Sequence, residues 1–287
     1  MTTLYGIFGW PVAHTRSPAM HGAAFAALGI DAVYVPFAVP PDRLARAVAA
    51  LDAVGVAGLN ITVPHKGAIV PMLAHVEAGA RAIGAVNTVW REGGAPGGAL
   101  VGGNTDAEGL ARSLAESGIV LGGARAVVLG AGGAARASVV GLAGAGAGRI
   151  AIAARRREQA ETLVAELRAA CGATELAALS LDDAAGLRGE FRGAALVVQA
   201  TSSTLAAHDT VAAQRFADAL PLDALSGSAA VCDLVYQPRR TAVLERAETL
   251  GLRAIDGLGM LLHQGAIAFE RWTGRPAPLD VMRAALG

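Results

Sequence analysis

Ten short apolar runs alternate along the chain with Ala-rich stretches of helical period, and this alternation constrains the fold more than any other sequence feature. The runs fall at 4–9, 32–38, 57–62, 85–91, 98–103, 125–130, 149–154, 194–199, 229–235 and 252–255. The helical stretches fall at 17–28, 41–53, 65–73, 76–82, 105–117, 133–144, 157–170, 239–250, 258–272 and 278–285. Strands separated by helices pair in parallel through right-handed crossovers. Gly93-Gly94-Ala95-Pro96-Gly97-Gly98 is too short for a crossover helix and predicts a hairpin, so the first sheet should be mixed. A chain of 287 residues has room for two domains of the usual ~100–200 residues. The helix from 105 reads as a bridge into a second domain that starts near 124. The apolar helix 258–272 either returns to the first domain or covers the second sheet.

Composition excludes several classes. Charged residues make up 17% and hydrophobic ones 53%, which is incompatible with a disordered chain. The 24 basic and 24 acidic residues cancel, whereas a nucleic-acid binder would carry a basic excess. No apolar run reaches the ~18 residues of a membrane span. The first residues, Met1-Thr2-Thr3-Leu4, lack the basic and small-residue pattern of a signal peptide. Cys171 and Cys232 form neither a disulfide framework nor a metal motif and read as buried thiols of a reducing compartment. The expectation is a cytoplasmic protein, monomeric or homodimeric, with a small-molecule substrate and no metal, nucleic-acid or membrane partner.

A mutational bias is visible as well. Of the 24 basic residues only Lys66 is a lysine, and Asn60, Asn87 and Asn104 are the only asparagines. A surface lysine becomes arginine at little cost, but a lysine that must exchange a proton does not, because guanidinium stays protonated. Residues that survive such a bias are candidates for chemistry.

The segment Val127-Val128-Leu129-Gly130-Ala131-Gly132-Gly133-Ala134-Ala135-Arg136 follows a strand, opens a helix and fits G-x-G-x-x-A. Gly130 permits the tight turn, Gly132 lets backbone approach a pyrophosphate, and Ala135 lets helix and sheet pack closely. The next strand ends in Ala154-Arg155-Arg156-Arg157, where an NAD site carries a carboxylate for the ribose 2′-hydroxyl. Three guanidiniums at a helix start oppose the macrodipole and suit a 2′-phosphate, which favours NADP over NAD.

Three polar clusters end strands of the first domain, where open parallel sheets bind ligands. In His14-Thr15-Arg16-Ser17-Pro18, Ser17 reads as an N-cap before proline, at a helix start that also suits an anion. In Asn60-Ile61-Thr62-Val63-Pro64-His65-Lys66, Pro64 predicts a helix with Lys66 in its first turn, where the dipole disfavours an ammonium. In Asn104-Thr105-Asp106-Ala107-Glu108, Thr105 and Glu108 match a capping box, with Asp106 at the first helical position. Asn87-Thr88 ends or lines the neighbouring strand. A lysine, an aspartate, amides, hydroxyls and a nicotinamide cofactor suit a polyhydroxylated acid whose alcohol is oxidised by hydride transfer, with Lys66 and Asp106 moving the proton.

Six motifs in order carry a resemblance. They are Phe8-Gly9-Trp10-Pro11-Val12-Ala13-His14-Thr15-Arg16-Ser17-Pro18, Asn60 to Lys66, Gly84-Ala85-Val86-Asn87-Thr88, Gly103-Asn104-Thr105-Asp106, Gly130 to Ala134, and Asp256-Gly257-Leu258-Gly259-Met260-Leu261 with Gln264. Together they resemble the shikimate dehydrogenase family over the whole chain. The resemblance implies NADP-dependent interconversion of 3-dehydroshikimate and shikimate in aromatic amino-acid (chorismate) biosynthesis. It implies an α/β fold of two domains: a discontinuous substrate domain with a mixed sheet, 1–105 and 258–287, and a Rossmann-type NADP-binding domain, 106–257. It makes Lys66 and Asp106 the catalytic pair and places Thr15, Ser17, Thr62, Asn87, Asp106 and Gln264 around the substrate, with Tyr236 on its carboxylate. Gly130, Ala131, Gly132, Gly133 and Ala134 would hold the pyrophosphate. Ala154 and Arg155 would meet the adenosine, Arg156 the 2′-phosphate, and Leu234 and Gly257 the nicotinamide. A broader quinate/shikimate dehydrogenase and a non-catalytic nucleotide-binding paralogue are the alternatives.

This sequence departs from the family pattern in places. Ala154-Arg155-Arg156 stands for the usual Asn-Arg-Thr, and Thr15 for a serine. Gln199-Ala200-Thr201-Ser202-Ser203-Thr204 stands for Asn-Ala-Thr-Ser-x-Gly, and His65 takes a position where an aromatic is common. His65 is a rival acid–base group, one residue from the lysine, and reads as a supporting residue.

Overall fold

The computed structural model describes residues 2–94, 97–205 and 210–287. The chain forms two compact units, Met1–Gly109 with Leu261–Gly287, and Leu110–Met260.

In the first unit, β1 (Thr3–Gly9), α1 (Ser17–Ala27), β2 (Ala32–Ala38), α2 (Leu44–Ala50) and β3 (Val56–Ile61) form two helical crossovers between parallel strands. There follow β4 (His75–Val76), α3 (Ala78–Ile83), β5 (Thr88–Arg91) and β6 (Leu100–Gly103). The sheet order is β2-β1-β3-β5-β6-β4, with β5 antiparallel to both β3 and β6, so the sheet is mixed as expected. Gly93 and Gly94, which leave β5, take φ of 70°, while Ala95 and Pro96 of the expected hairpin loop lie outside the described residues. The helix α4 (Asp106–Glu116) leads out of this unit, and α10 (Leu258–Thr273) and α11 (Leu279–Leu286) close it.

On α1 the buried positions are Ser17, Met20, His21, Ala24 and Phe25, a stripe of helical period. The stripe meets an aromatic box. Tyr5 stacks on Phe25 at 5.2 Å and on Trp272 at 5.1 Å, and the Trp272 Nε1 donates to the Val89 carbonyl at 3.0 Å. Gly58 has to be glycine for this packing, since a Cβ there would lie 2.5 Å from the Trp272 ring.

In the second unit, β7 (Arg125–Leu129), α5 (Gly133–Gly144), β8 (Arg149–Ala154), α6 (Arg157–Leu167) and β9 (Glu175–Ser180) come first. They are followed by α7 (Ala184–Phe191), β10 (Ala194–Gln199), α8 (Thr210–Ala219), β11 (Ala230–Asp233), α9 (Ala242–Thr249) and β12 (Arg253–Ile255). All neighbours in the order β12-β11-β10-β7-β8-β9 are parallel, the doubly wound dinucleotide-binding arrangement with its switch between β7 and β10. The central strands read as unbroken apolar runs because both faces are covered. The sequence reading did not anticipate β4, β9, α7 or α8, and β5 begins at Thr88 rather than at 85. No helix among the described residues is long and apolar enough to cross a membrane.

His21 is fully buried, its ring stacked on Tyr34 at 4.6 Å and 14°, and neither ring nitrogen has a hydrogen-bond partner among the described residues. Burial pushes its pKa down to about 3. The folded protein therefore refuses a proton that the unfolded chain takes up below about pH 6.5, so stability is full above that pH and is lost as pH falls toward 3. At about 1.4 kcal/mol per pKa unit, His21 should remove about 2 kcal/mol between roughly pH 7.5 and pH 5. Asp233, pushed up to about 6 by burial, titrates in part of the same window with the opposite sign. Its contribution cancels between wild type and His21→Phe. Urea denaturation of both proteins across that range should show the difference widening in favour of His21→Phe as pH falls. A constant difference would mean that His21 carries its proton in the folded state.

Candidate active site

The candidate site is built on three loops that leave the C-terminal ends of strands in the first unit. Lys66 follows β3, but in a turn rather than in the helix that the sequence predicts over 65–73. The chain makes turns at 63–64 and 66–69 and then one 3-10 turn at Val70–Met72. The cause is tertiary: the Lys66 carbonyl, which residue 70 of an α-helix needs, accepts from the Val86 N–H at 2.8 Å. The helix-dipole argument for Lys66 therefore lapses. His65 is buried beneath this turn, with Nε2 2.8 Å from the Val39 carbonyl, an anchoring contact. Thr62 is held by its N–H on the Phe8 carbonyl at 2.9 Å, and it passes so close to β1 that a Cβ on Gly9 would lie 2.4 Å from its methyl.

Lys66 Nζ lies 2.5 Å from Asp106 Oδ2, the side chains being 13% and 5% exposed. The pair is shielded enough to strengthen its attraction, yet a small molecule can still touch the ammonium. The other carboxylate oxygen, Oδ1, accepts from Asn87 Nδ2 at 2.8 Å. Asn87 Nδ2 also points to Thr105 Oγ1 at 2.9 Å and Gln264 Oε1 at 3.3 Å. Gln264 comes from α10, which approaches α4 so closely that a Cβ on Gly109 would lie 2.7 Å from its backbone nitrogen. Lys66, Asp106, Asn87 and Gln264 therefore form one hydrogen-bonded group.

Two capping assignments need correction. The N-cap of α1 is Arg16 rather than Ser17, which is the first helical residue and is buried. The hydroxyl at this helix start is that of Thr15, which accepts from the Ser17 N–H at 3.3 Å. At α4 the sequence pattern names Thr105, but Asn104 Oδ1 accepts from the Asp106 and Ala107 N–H groups at 3.0 and 3.3 Å. Thr105 is engaged elsewhere, with its N–H donating to Asn87 Oδ1 at 2.8 Å. Sequence reasoning missed Thr88 and Thr105 as members of the network under the site. It noticed Asn60, a further member, through the scarcity of asparagine and as the first residue of a motif, but gave it no role.

The remaining candidates belong to the second unit. Gly130 has φ 117°, and a Cβ there would meet Thr201 and Ala200 at 3.1–3.3 Å. Gly132 caps α5 with its Cβ position facing open space, and no side chain accepts from the first turn of the helix. Gly133 and Ala134 open the helix after it, and Ala131 packs on the unit's core. Ala154 is buried at the end of β8. Arg155 and Arg156 behind it are exposed and make no ion pair among the described residues, whereas Arg157 pairs with Glu161. These residues fit a dinucleotide bearing a 2′-phosphate: open backbone donors at a helix start, no carboxylate at the second strand end, and two uncommitted guanidiniums.

The departures at Gln199 and Thr204 answer each other. Gln199 Nε2 donates to Thr204 Oγ1 at 3.0 Å and to Asp233 Oδ1 at 3.3 Å, and the Thr204 hydroxyl donates to Asp233 Oδ2 at 2.9 Å. Asp233 also accepts from Thr241 Oγ1 at 2.7 Å and from the Val235 N–H at 3.0 Å. The latter bond fixes how the chain leaves β11 into Leu234 and half-buried Tyr236. Gly257 lies against that exit, where a Cβ would sit 2.3 Å from the Leu234 carbonyl oxygen.

Comparison with known proteins follows the same division. Residues 7–89 match the family model for the shikimate dehydrogenase substrate binding domain, 110–235 that for shikimate / quinate 5-dehydrogenase, and 257–286 that for the shikimate 5'-dehydrogenase C-terminal domain. A shikimate dehydrogenase (NADP(+)) of Geobacter metallireducens is 45% identical over 283 residues, which cover 98% of this chain and 95% of that one. The shikimate 5-dehydrogenase of Thermus thermophilus, solved with NADP(H) and shikimate, is 33% identical with a TM-score of 0.82, over 99% of this chain and 98% of that one. A quinate dehydrogenase of Corynebacterium glutamicum, solved with NAD, is 31% identical with a TM-score of 0.85, over 99% and 98%. With its ordered motifs, its two units and these relatives in agreement, the chain belongs to the shikimate dehydrogenase family.

Proposed function

We propose that this protein interconverts 3-dehydroshikimate and shikimate with NADP(H), using Lys66 and Asp106 as its proton-transfer pair. The observation that carries the reading is the 2.5 Å contact between the chain's only lysine and a carboxylate that a buried amide already holds. The first unit binds the substrate, with Thr15, Ser17, Thr62, Asn87 and Gln264 as its polar contacts. The second binds the cofactor through the Gly130–Ala134 turn, with Arg155 against the adenine and Arg156 on the 2′-phosphate. NADP(H), when bound, supplies or accepts the hydride. Lys66 Nζ gives a proton to the substrate oxygen in reduction and takes it back in oxidation, while Asp106 fixes where that nitrogen stands. We take the protein to work as a monomer or a homodimer. Two buried free thiols suit a reducing, cytoplasmic setting.

Quinate oxidation is the second reading, favoured by the likeness to the Corynebacterium enzyme. Quinate carries an extra hydroxyl at the carboxylate-bearing carbon. With Oγ1 of Thr15 tied to the Ser17 N–H, the methyl of Thr15 has a fixed place at the helix start proposed to hold that end of the substrate. An unpaired hydroxyl there costs about 1–3 kcal/mol, or roughly 5–150-fold in kcat/KM. Wild type should therefore prefer shikimate, and Thr15→Ser should narrow the preference. An unchanged ratio removes Thr15 as the gate, and efficient quinate turnover by wild type reverses the assignment.

Lys66→Arg should lower kcat by about 10²–10⁴ with little change in KM for shikimate, because guanidinium keeps the charge but is too weak an acid to give up a proton. Near-normal kcat would remove the proton-transfer role. Arg156→Ala should raise KM for NADP on the order of 10-fold and leave NAD unaffected, as expected for a lost charge-assisted phosphate contact. Equal effects on both cofactors would assign the arginine to structure instead.

A further inference from the structure

The proton-transfer pair stands at the end of a buried polar chain that starts two strands away. Tyr34 Oη donates to Asn60 Oδ1 at 2.7 Å. Asn60 Nδ2 donates to the Asn87 carbonyl at 3.2 Å and to Thr88 Oγ1 at 3.3 Å. Thr88 Oγ1 donates to Asn87 Oδ1 at 3.0 Å, and Asn87 Nδ2 donates to Asp106 Oδ1 at 2.8 Å. Every member from Tyr34 to Asp106 is buried.

The direction of each bond is forced. A backbone N–H only donates, so Thr105 N at 2.8 Å requires the oxygen of the Asn87 amide on its side. A carboxylate paired to an ammonium only accepts, so Asp106 requires the amide's nitrogen on the other side. Both constraints select the same orientation. The backbone carbonyl of Asn87 likewise only accepts, which places Asn60 Nδ2 there and turns Asn60 Oδ1 toward Tyr34, whose hydroxyl has to donate. Asn60 thus braces Asn87 twice, at its carbonyl and, through Thr88, at its side-chain oxygen.

We propose that Asn60, braced from behind by Tyr34, is a positioning residue for the acid–base pair, holding the Asn87 amide so that its N–H fixes the Asp106 carboxylate against Lys66. This rests on the reading of Lys66 and Asp106 given above. Asn60 touches neither member of the pair, so its influence on them passes through Asn87. Breaking one neutral buried hydrogen bond corresponds to about 3- to 10-fold. That is the loss of kcat expected for Asn60→Leu, with Tyr34→Phe at the lower end.

The test measures kcat and both KM values for wild type, Asn60→Leu, Tyr34→Phe, Asn87→Ala and the combinations with Asn87→Ala, with melting temperatures recorded alongside. The expected result is lower kcat in both single variants, an unchanged KM for NADP, and no further loss from either change once Asn87 is alanine. Losses that multiply in the Asn87→Ala background would show that Asn60 acts by another route and would overturn the proposal, as would wild-type kcat in Tyr34→Phe. Should Asn60→Leu fail to fold, Tyr34→Phe, which deletes one hydroxyl, decides the matter alone. Wild type without turnover on shikimate and NADP would overturn the functional reading and this inference with it, whereas active wild type with unaffected variants overturns the inference only.

Discussion

A side-chain amide has one face that accepts and one that donates, and in Asn87 neither can be exchanged. Thr105 N occupies the accepting face and the Asp106 carboxylate the donating one. Reversal would set a carbonyl against a carboxylate and two N–H groups together inside the protein, leaving buried donors and acceptors unsatisfied at about 1–3 kcal/mol each. The surrounding architecture meets this constraint. The Asn87 carbonyl takes the Ile61 N–H at 2.8 Å and its own N–H goes to the Gly103 carbonyl at 3.1 Å, so the residue is sewn between β3 and β6 where β5 begins. The antiparallel placement of β5 in an otherwise largely parallel sheet brings Asn87 to the same end as the loops carrying Lys66 and Asp106.

Two buried aspartates show how differently a carboxylate can be accommodated. Asp106 has an ammonium at 2.5 Å and an amide on its second oxygen. Asp233 has no cation among its contacts with the described residues and relies on two hydroxyls, one amide and one backbone N–H, yet burial still pushes it up to about 6. Hydrogen bonds from neutral donors only partly replace the water lost on burial. What the Asp233 arrangement secures is geometry: it ties together the ends of β10 and β11 and the start of α9. Gln199 and Thr204 work within it as partners, so the two departures there form one local solution.

Much of this was legible in the sequence, for definite reasons. The central strands of the second unit declare themselves because both faces are covered and their interior positions are apolar. The glycine turn at Gly130 is legible because only glycine tolerates its φ of 117°. The failures are equally physical. The β9 strand, Glu175–Ser180, lies at a sheet edge with most of its positions only partly buried, and its apolar run is the short, Ala-containing Leu176–Leu179, with no β-branched residue to mark it as a strand. The α8 helix buries only Ala217 and presents little apolar stripe to detect.

Lys66 and Asn87 could be named from the sequence because scarcity and motif both marked them, and Asp106 because its motif did; the positions of their loops follow from local pattern. Their neighbours could not be named, since a local pattern says what a group can bind and not what competes for it. Thr105 reads as a cap until Asn87 claims it, and Asn104 caps α4 instead. Residues 65–73 read as a helix until the Val86 N–H takes the Lys66 carbonyl. The sequence by itself determined the fold class, most of the elements with their order, and which polar groups are offered to the site, because these follow from side-chain chemistry and spacing along the chain. Only the tertiary structure decided the partner of each polar atom, because hydrogen-bond partners 17 to 177 residues apart are chosen by proximity in space and by the cost of leaving any of them buried and unpaired.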